Sequence, residues 1–138
     1  MPGPAAGRTH VYGALDTLEN LKKGGRIGGA KALLGSMLSV KPIIEVRDGA
    51  VEAESRQRTR SRALRHLAEK VTSRGDIEQL AVMHAQAPDV EDFVAQLAPH
   101  HRREDIVLTD IGAVIGTHTG PGAIGIAFRV ESGASSAR

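Results

Sequence analysis

A histidine framed by glycines is the residue of this chain best suited to chemistry. His118 stands in Val114-Ile115-Gly116-Thr117-His118-Thr119-Gly120-Pro121-Gly122-Ala123-Ile124-Gly125, between two apolar runs. Glycine has no Cβ, so the four glycines let the backbone take positive φ or approach a ligand closely, and Pro121 stiffens the path between them. Set between two strands, such a loop aims several N–H groups at one oxyanion, with the imidazole as a titratable donor beside them. That suits a carboxylate or a phosphate; the alternative is a tight turn carrying an exposed histidine. Thr117 and Thr119 flank His118, yet neighbours in an extended segment face opposite ways, so no Thr-His relay is expected. Gly120 to Gly125 also matches G-x-G-x-x-G, but a strand-like run follows where dinucleotide binding needs a helix, and the match is accidental.

Other candidates are basic. Lys22, Lys23, Arg26 and Lys31 gather around Gly24-Gly25, and Arg56-Gln57-Arg58-Thr59-Arg60-Ser61-Arg62 precedes a helical pattern. Arginines at a helix N-terminus oppose its dipole, a cost that calls for anion contacts there. The alternatives are a solvated corner and an arginine-rich codon bias, since 13 of the 18 basic residues are arginine. His100 and His101 are adjacent but lack a second cluster at metal spacing, and they read as a solvated connector. Glu91 and Asp92 read as helix-start carboxylates rather than an acid/base pair.

The elements that must position these groups follow from periodicity. Strands are expected over His10–Leu15, Val40–Val46, Ala50–Arg56, Ile77–His84, Ile106–Thr109, Ile111–Gly116 and Ala123–Val130. Helices are expected after a cap at Asp16 or Thr17, over Ala30–Ser39 with Leu33, Leu34, Met37 and Leu38 inward, from Thr59 or Ser61 to about Arg74, and over Asp89–Ala98. Arg47-Asp48-Gly49 is a hairpin signal, because Asp-Gly tolerates positive φ. One hairpin among crossovers predicts an α/β fold of two layers: a mixed sheet of about six strands with helices mainly on one face. A domain over residues 10–131 is expected, between disordered tails at 1–9 and 132–138 rich in Gly, Pro, Ser and Ala.

Composition narrows the function classes. The chain has 138 residues, enough for one domain, and 41% are apolar. Eighteen basic against 16 acidic residues give +2, which does not by itself imply nucleic acid. Aromatics are 2%, too few for the stacking platforms of single-strand binders. The absence of cysteine excludes disulfides, thiolate metal sites and a cysteine nucleophile. No run has the length of a membrane span, and the first residues lack a signal peptide's pattern, so a cytoplasmic protein is expected.

Leu18-Glu19-Asn20-Leu21-Lys22-Lys23-Gly24-Gly25-Arg26-Ile27, then Leu34-Gly35-Ser36-Met37-Leu38-Ser39-Val40-Lys41-Pro42-Ile43-Ile44, resembles the hallmark run of the DegV family of bacterial fatty-acid-binding proteins. Arg58-Thr59 and Ile115 to Gly122 match its later motifs in order. The resemblance runs from about Val11 to Val130 and corresponds to that family's C-terminal domain, with the N-terminal domain and its Ser/Thr-rich loops absent. It implies a non-catalytic carrier that buries a long-chain fatty acid and presents the carboxylate to a separate kinase, which brings ATP and metal; the chain itself needs no cofactor. By position, His118, Thr117 and Gly116 would hold the carboxylate, while Arg26 and Arg58 would face the kinase. The acyl slot would lie open along an apolar face, where another chain supplying the missing half, or self-association, would cover it. Two alternatives stand: a structural or regulatory half-domain that docks a partner and binds no lipid, and an enzyme using His118 as general acid or base.

Overall fold

The computed structural model describes residues 9–35 and 40–131. Six strands, β1 (Thr9–Ala14), β2 (Lys41–Arg47), β3 (Ala50–Gln57), β4 (Ile77–His84), β5 (Ile106–Asp110) and β6 (Ile124–Val130), form one sheet in the order β3-β2-β1-β6-β4-β5. Only β4 and β5 pair in parallel, joined by a crossover through helix α3 (Val90–Leu97). The other pairings are antiparallel. Helix α1 (Glu19–Lys23) follows β1, α2 (Arg60–Thr72) follows β3, and α4 (Ala113–Thr119) precedes β6. The mixed sheet is as expected, and the Asp48-Gly49 turn has φ of 53° and 79°. Positive φ at both central positions is what a two-residue hairpin needs to match strand twist.

Side chains alternate across the sheet. One face buries Ile43, Leu80, Val82, Ile106, Ile124, Ile126 and Phe128 against α2 and α3. Helix α2 supplies Ala63, Leu64, Leu67, Ala68 and Val71, an apolar stripe at helical spacing, and Thr59 caps it by accepting from the Arg62 N–H at 3.2 Å. Glu54 ties the edge strand β3 to this helix, bonding His66 Nε2 at 2.9 Å and Lys70. A second cluster, of Leu15, Leu18, Leu21, Leu33, Ile44, Ala85 and Ala123, closes the end of the sheet where α1 lies.

Three expectations are corrected. The chain from Ile111 to Gly116 is not a strand: Gly112 turns it out of β5 at φ 89°, and α4 follows. Its Val, Ile and Thr residues favour strands only weakly, and here the backbone closes helical bonds from Gly116 to Gly112 and from Gly120 to Gly116 instead. The expected helix over Ala30–Ser39 is a 3-10 helix over Gly28–Gly35, opened by the Ala30 N–H to Ile27 C=O bond; Met37, Leu38 and the Leu34 side chain lie outside the described residues. Leu18 occupies the N-cap position of α1 without a side-chain bond of its own, while Asp16 is engaged elsewhere; Thr17 still serves the helix start, its Oγ1 accepting from the Glu19 N–H at 3.2 Å.

On the sheet's other face, Val11, Gly13, Ala81, Met83, Gly125 and Ala127 are in register. Val46 and Val107 are 37% and 62% exposed, and a groove of about 690 Å³ passes Ala81, Val107 and Ala127. Leu67→Ala, at a fully buried site, is expected to cost about 2–5 kcal/mol. Val107→Ala should stay within about 0.5 kcal/mol. Urea unfolding of the two variants checks this contrast.

Candidate functional site

The site is built where the end of α1 meets α4. Gly24 closes α1 by donating to the Asn20 carbonyl, Gly25 donates to Lys22, and the Arg26 N–H returns to Leu21. Gly25 takes φ 71°, which sends the chain out of the helix. Across from this turn, α4 is framed by glycines: Gly116 donates to Gly112 and Gly120 to Gly116, and Gly120 leaves the helix at φ 83°. Asn20 of α1 reaches across, its Nδ2 donating to the Thr117 carbonyl at 3.2 Å.

A helix spreads successive side chains by about 100°, so the three residues expected to hold a carboxylate do not point together. Gly116 and Thr117 line a cleft of about 490 Å³ with Asn20, Ala85, Asp110 and Ile111. His118 lies instead against Gly24: a Cβ there would fall 2.5 Å from Nδ1 and 2.8 Å from Cε1. The bare Cα of Gly24 is therefore the seat of the imidazole. His118 Nδ1 and Thr119 Oγ1 are buried without a hydrogen-bond partner among the described residues. Arg26 Nη1 donates to the Gly24 carbonyl at 3.2 Å, so Arg26 and His118 share one turn. Arg58 is exposed in the connector between β3 and α2.

The loop after α4 is held from below. Gly122, at φ 91°, donates to the Ala85 carbonyl at 2.6 Å, and Ala85 donates to Ala123 at 2.9 Å, extending the β4–β6 ladder past the strands. Arg60 reaches the same place: Nε and Nη2 donate to Asp89 at 2.6 and 2.8 Å, Nη1 to Asp16 at 2.8 Å, and Nη2 also to the Gly122 carbonyl at 2.7 Å. The Arg60 hydrogen bond, outweighing desolvation, holds the Asp89 carboxyl below its usual value of 3.8. Asn20, Arg60, Asp16 and Asp89 were not expected to serve the site. The available signal was the arginine at a helix start, whose cost called for anions; here two carboxylates of the same chain answer it. Among the described residues, no three His, Cys, Asp or Glu gather where a metal would bind. No helix among them is long and apolar enough to cross a membrane.

Two outcomes are expected. Gly24 has φ −83°, so Gly24→Ala is tolerated by the backbone but must push the movable imidazole off its seat. Its thermal midpoint should stay near wild type while the His118 ring resonances shift. A depressed folded pKa at Asp89 means stability that is present above pH 3.8 and lost as pH falls through the folded value. Thermal melts from pH 7 to pH 2 should show Asp89→Asn less stable than wild type at neutral pH, with the gap closing below about pH 4.

The chain matches the model of the DegV family, described as uncharacterised protein, over residues 5–131. It is 41% identical over 119 residues to a DegV domain-containing protein of Clostridium acetobutylicum, covering 84% of this chain and 42% of that protein. Its fold is similar to that of a fatty-acid-binding DegV family protein from Thermus thermophilus, with a TM-score of 0.79 and 32% identity over 90% of this chain and 46% of that one. A fatty acid binding DegV family protein from Streptococcus agalactiae gives a TM-score of 0.76 and 29% identity over 89% and 45%. The chain thus spans less than half the length of each of these proteins. With nearly its whole described length accounted for by one family model and by relatives of the same fold, the chain belongs to the DegV family.

Proposed function

We propose that this chain is a fatty-acid-binding module in which His118 and the Gly24–Arg26 turn receive the carboxylate of a long-chain fatty acid. The observation that carries the reading is the seat of His118. Its Nδ1 is buried against Gly24 and has no hydrogen-bond partner among the described residues. With Nδ1 buried and unpartnered, the ring atom left to meet a ligand is Nε2, whose N–H would donate. That proton is available to a carboxylate, and Arg26, anchored one turn away through the Gly24 carbonyl, adds positive charge beside it. The fatty-acid binding named for the Thermus and Streptococcus relatives supports the same ligand class.

Thr117 and Gly116 would border the head group from the adjoining cleft rather than sit beside the imidazole. The chain acts without a cofactor and without catalysis of its own. It presents the carboxylate to a separate kinase that brings ATP and metal, and exposed Arg26 and Arg58 offer that partner a basic face. The acyl chain would follow apolar surface that a second polypeptide or the rest of a longer chain would complete.

A second reading has one observation in its favour. The face bearing Val46, Val107 and the glycine and alanine positions of β1, β4 and β6 is open among the described residues. This suits a structural half-domain that docks a partner and binds no lipid.

Native mass spectrometry of the chain expressed in bacteria, with lipid extraction of the same sample, decides between them. A co-purified fatty acid is expected. Titration with oleate should then show His118→Ala weakening binding about 10- to 100-fold, the loss of one charge-assisted hydrogen bond of about 1.5–3 kcal/mol. An empty wild-type chain that is dimeric or captures a partner would overturn the lipid reading in favour of the docking one.

A further inference from the structure

Arg60 has a geometry that its place in the sequence does not explain. It opens α2, where a positive charge opposes the helix dipole, yet its side chain is only 25% exposed and its donors are spent on three separate segments. The fork on Asp89 would suffice to join α2 to the start of α3. The other two bonds are aimed elsewhere, at Asp16 in the connector after β1 and at the carbonyl of Gly122. Asp16 presses on the same loop: a Cβ on Gly122 would lie 2.6 Å from its Oδ2. Lys41, 3.9 Å from Asp16, is the further charge in contact. Partly exposed ion pairs contribute little to stability, whereas a planar guanidinium with several fixed donors orders whatever it touches. What it orders here is the loop that starts just after His118. The segment from Thr117 to Gly122 is thereby pinned at both ends, by Asn20 at the Thr117 carbonyl and by Arg60 at the Gly122 carbonyl.

We propose that Arg60 is a positioning residue for the His118 site, fixing the Gly122 carbonyl so that the imidazole keeps its seat on Gly24. The effect on ligand affinity rests on the fatty-acid reading above; the effect on the position of His118 does not.

Arg60→Lys tests this, since it keeps the charge and loses the fork. Asp16→Asn is the milder companion, because it removes one contact and leaves the Arg60–Asp89 pair. The control is Leu67→Ala, which destabilises the core without touching the loop. The readouts are the His118 ring resonances, hydrogen exchange at the Gly122 amide and the affinity for oleate. Arg60→Lys is expected to shift the His118 signals, speed Gly122 exchange at least about 10-fold and weaken oleate binding about 10-fold, with Asp16→Asn moving the same way to a smaller extent. Leu67→Ala should leave the His118 signals and oleate affinity near wild type. Unchanged His118 signals and Gly122 exchange in Arg60→Lys, or equal changes in Leu67→Ala, would overturn the proposal. If Arg60→Lys does not fold, Asp16→Asn decides by the same readouts. Shifted His118 signals in a chain whose wild type binds no oleate would uphold the positioning role and sink the fatty-acid reading alone.

Discussion

The structure hangs from the place of β6. It lies between β1 and β4 and pairs antiparallel with both along its length, and five of its seven residues are buried. Such a strand cannot slide by one residue without turning Ile124, Ile126 and Phe128 out of the core. The strand therefore holds the exit of the loop that feeds it from Ile124 onward, and Arg60 acts just upstream, at Gly122. The bonds from Gly122 to Ala85 and from Ala85 to Ala123 carry that order one step further. The histidine turn is thus the end of a rigid strand rather than an ornament on a flexible surface.

This arrangement explains how the basic residues divide their work. Arg60 is turned inward and answered by carboxylates of the same chain, while Arg56, Arg58, Arg62 and Arg65 around it are exposed. One run of arginines holds both a structural member and a solvent-facing charge array. Composition alone would have assigned them a single role. The near balance of charges over the whole chain conceals this local asymmetry, which is where steering of an anionic partner would arise.

Much of the fold was legible in the residues. The Ile77–His84 strand, the Asp48-Gly49 hairpin and the helix capped by Thr59 were readable because local pattern and tertiary role agree there. Helix α4 was not. Its Val, Ile and Thr content reads as a strand, and neither the turn at Gly112 nor the Asn20 bond to Thr117 is visible in that pattern. Only some members of the candidate site were legible, and its grouping was not. His118 and Arg26 were both singled out, but Asn20 meets Thr117 across 97 positions, and Arg60 meets Gly122 across 62. No spacing rule reports such contacts. The cost of an arginine at a helix start was a true signal, although its answer lay within the chain.

The central place of β6 also shapes how the sheet comes together. β1 and β4 precede β6 in the chain and meet only through it, so each keeps an unpaired edge until β6 joins them. Pairing of such long sequence separation is slow to form, because loop closure must be paid before contacts return anything. Until then β1 and β4 are templates for pairing with other chains. Closure by β6 joins the two parts of the sheet and sets the exit of the histidine turn, so the site depends on pairing across a long sequence separation rather than on a local element.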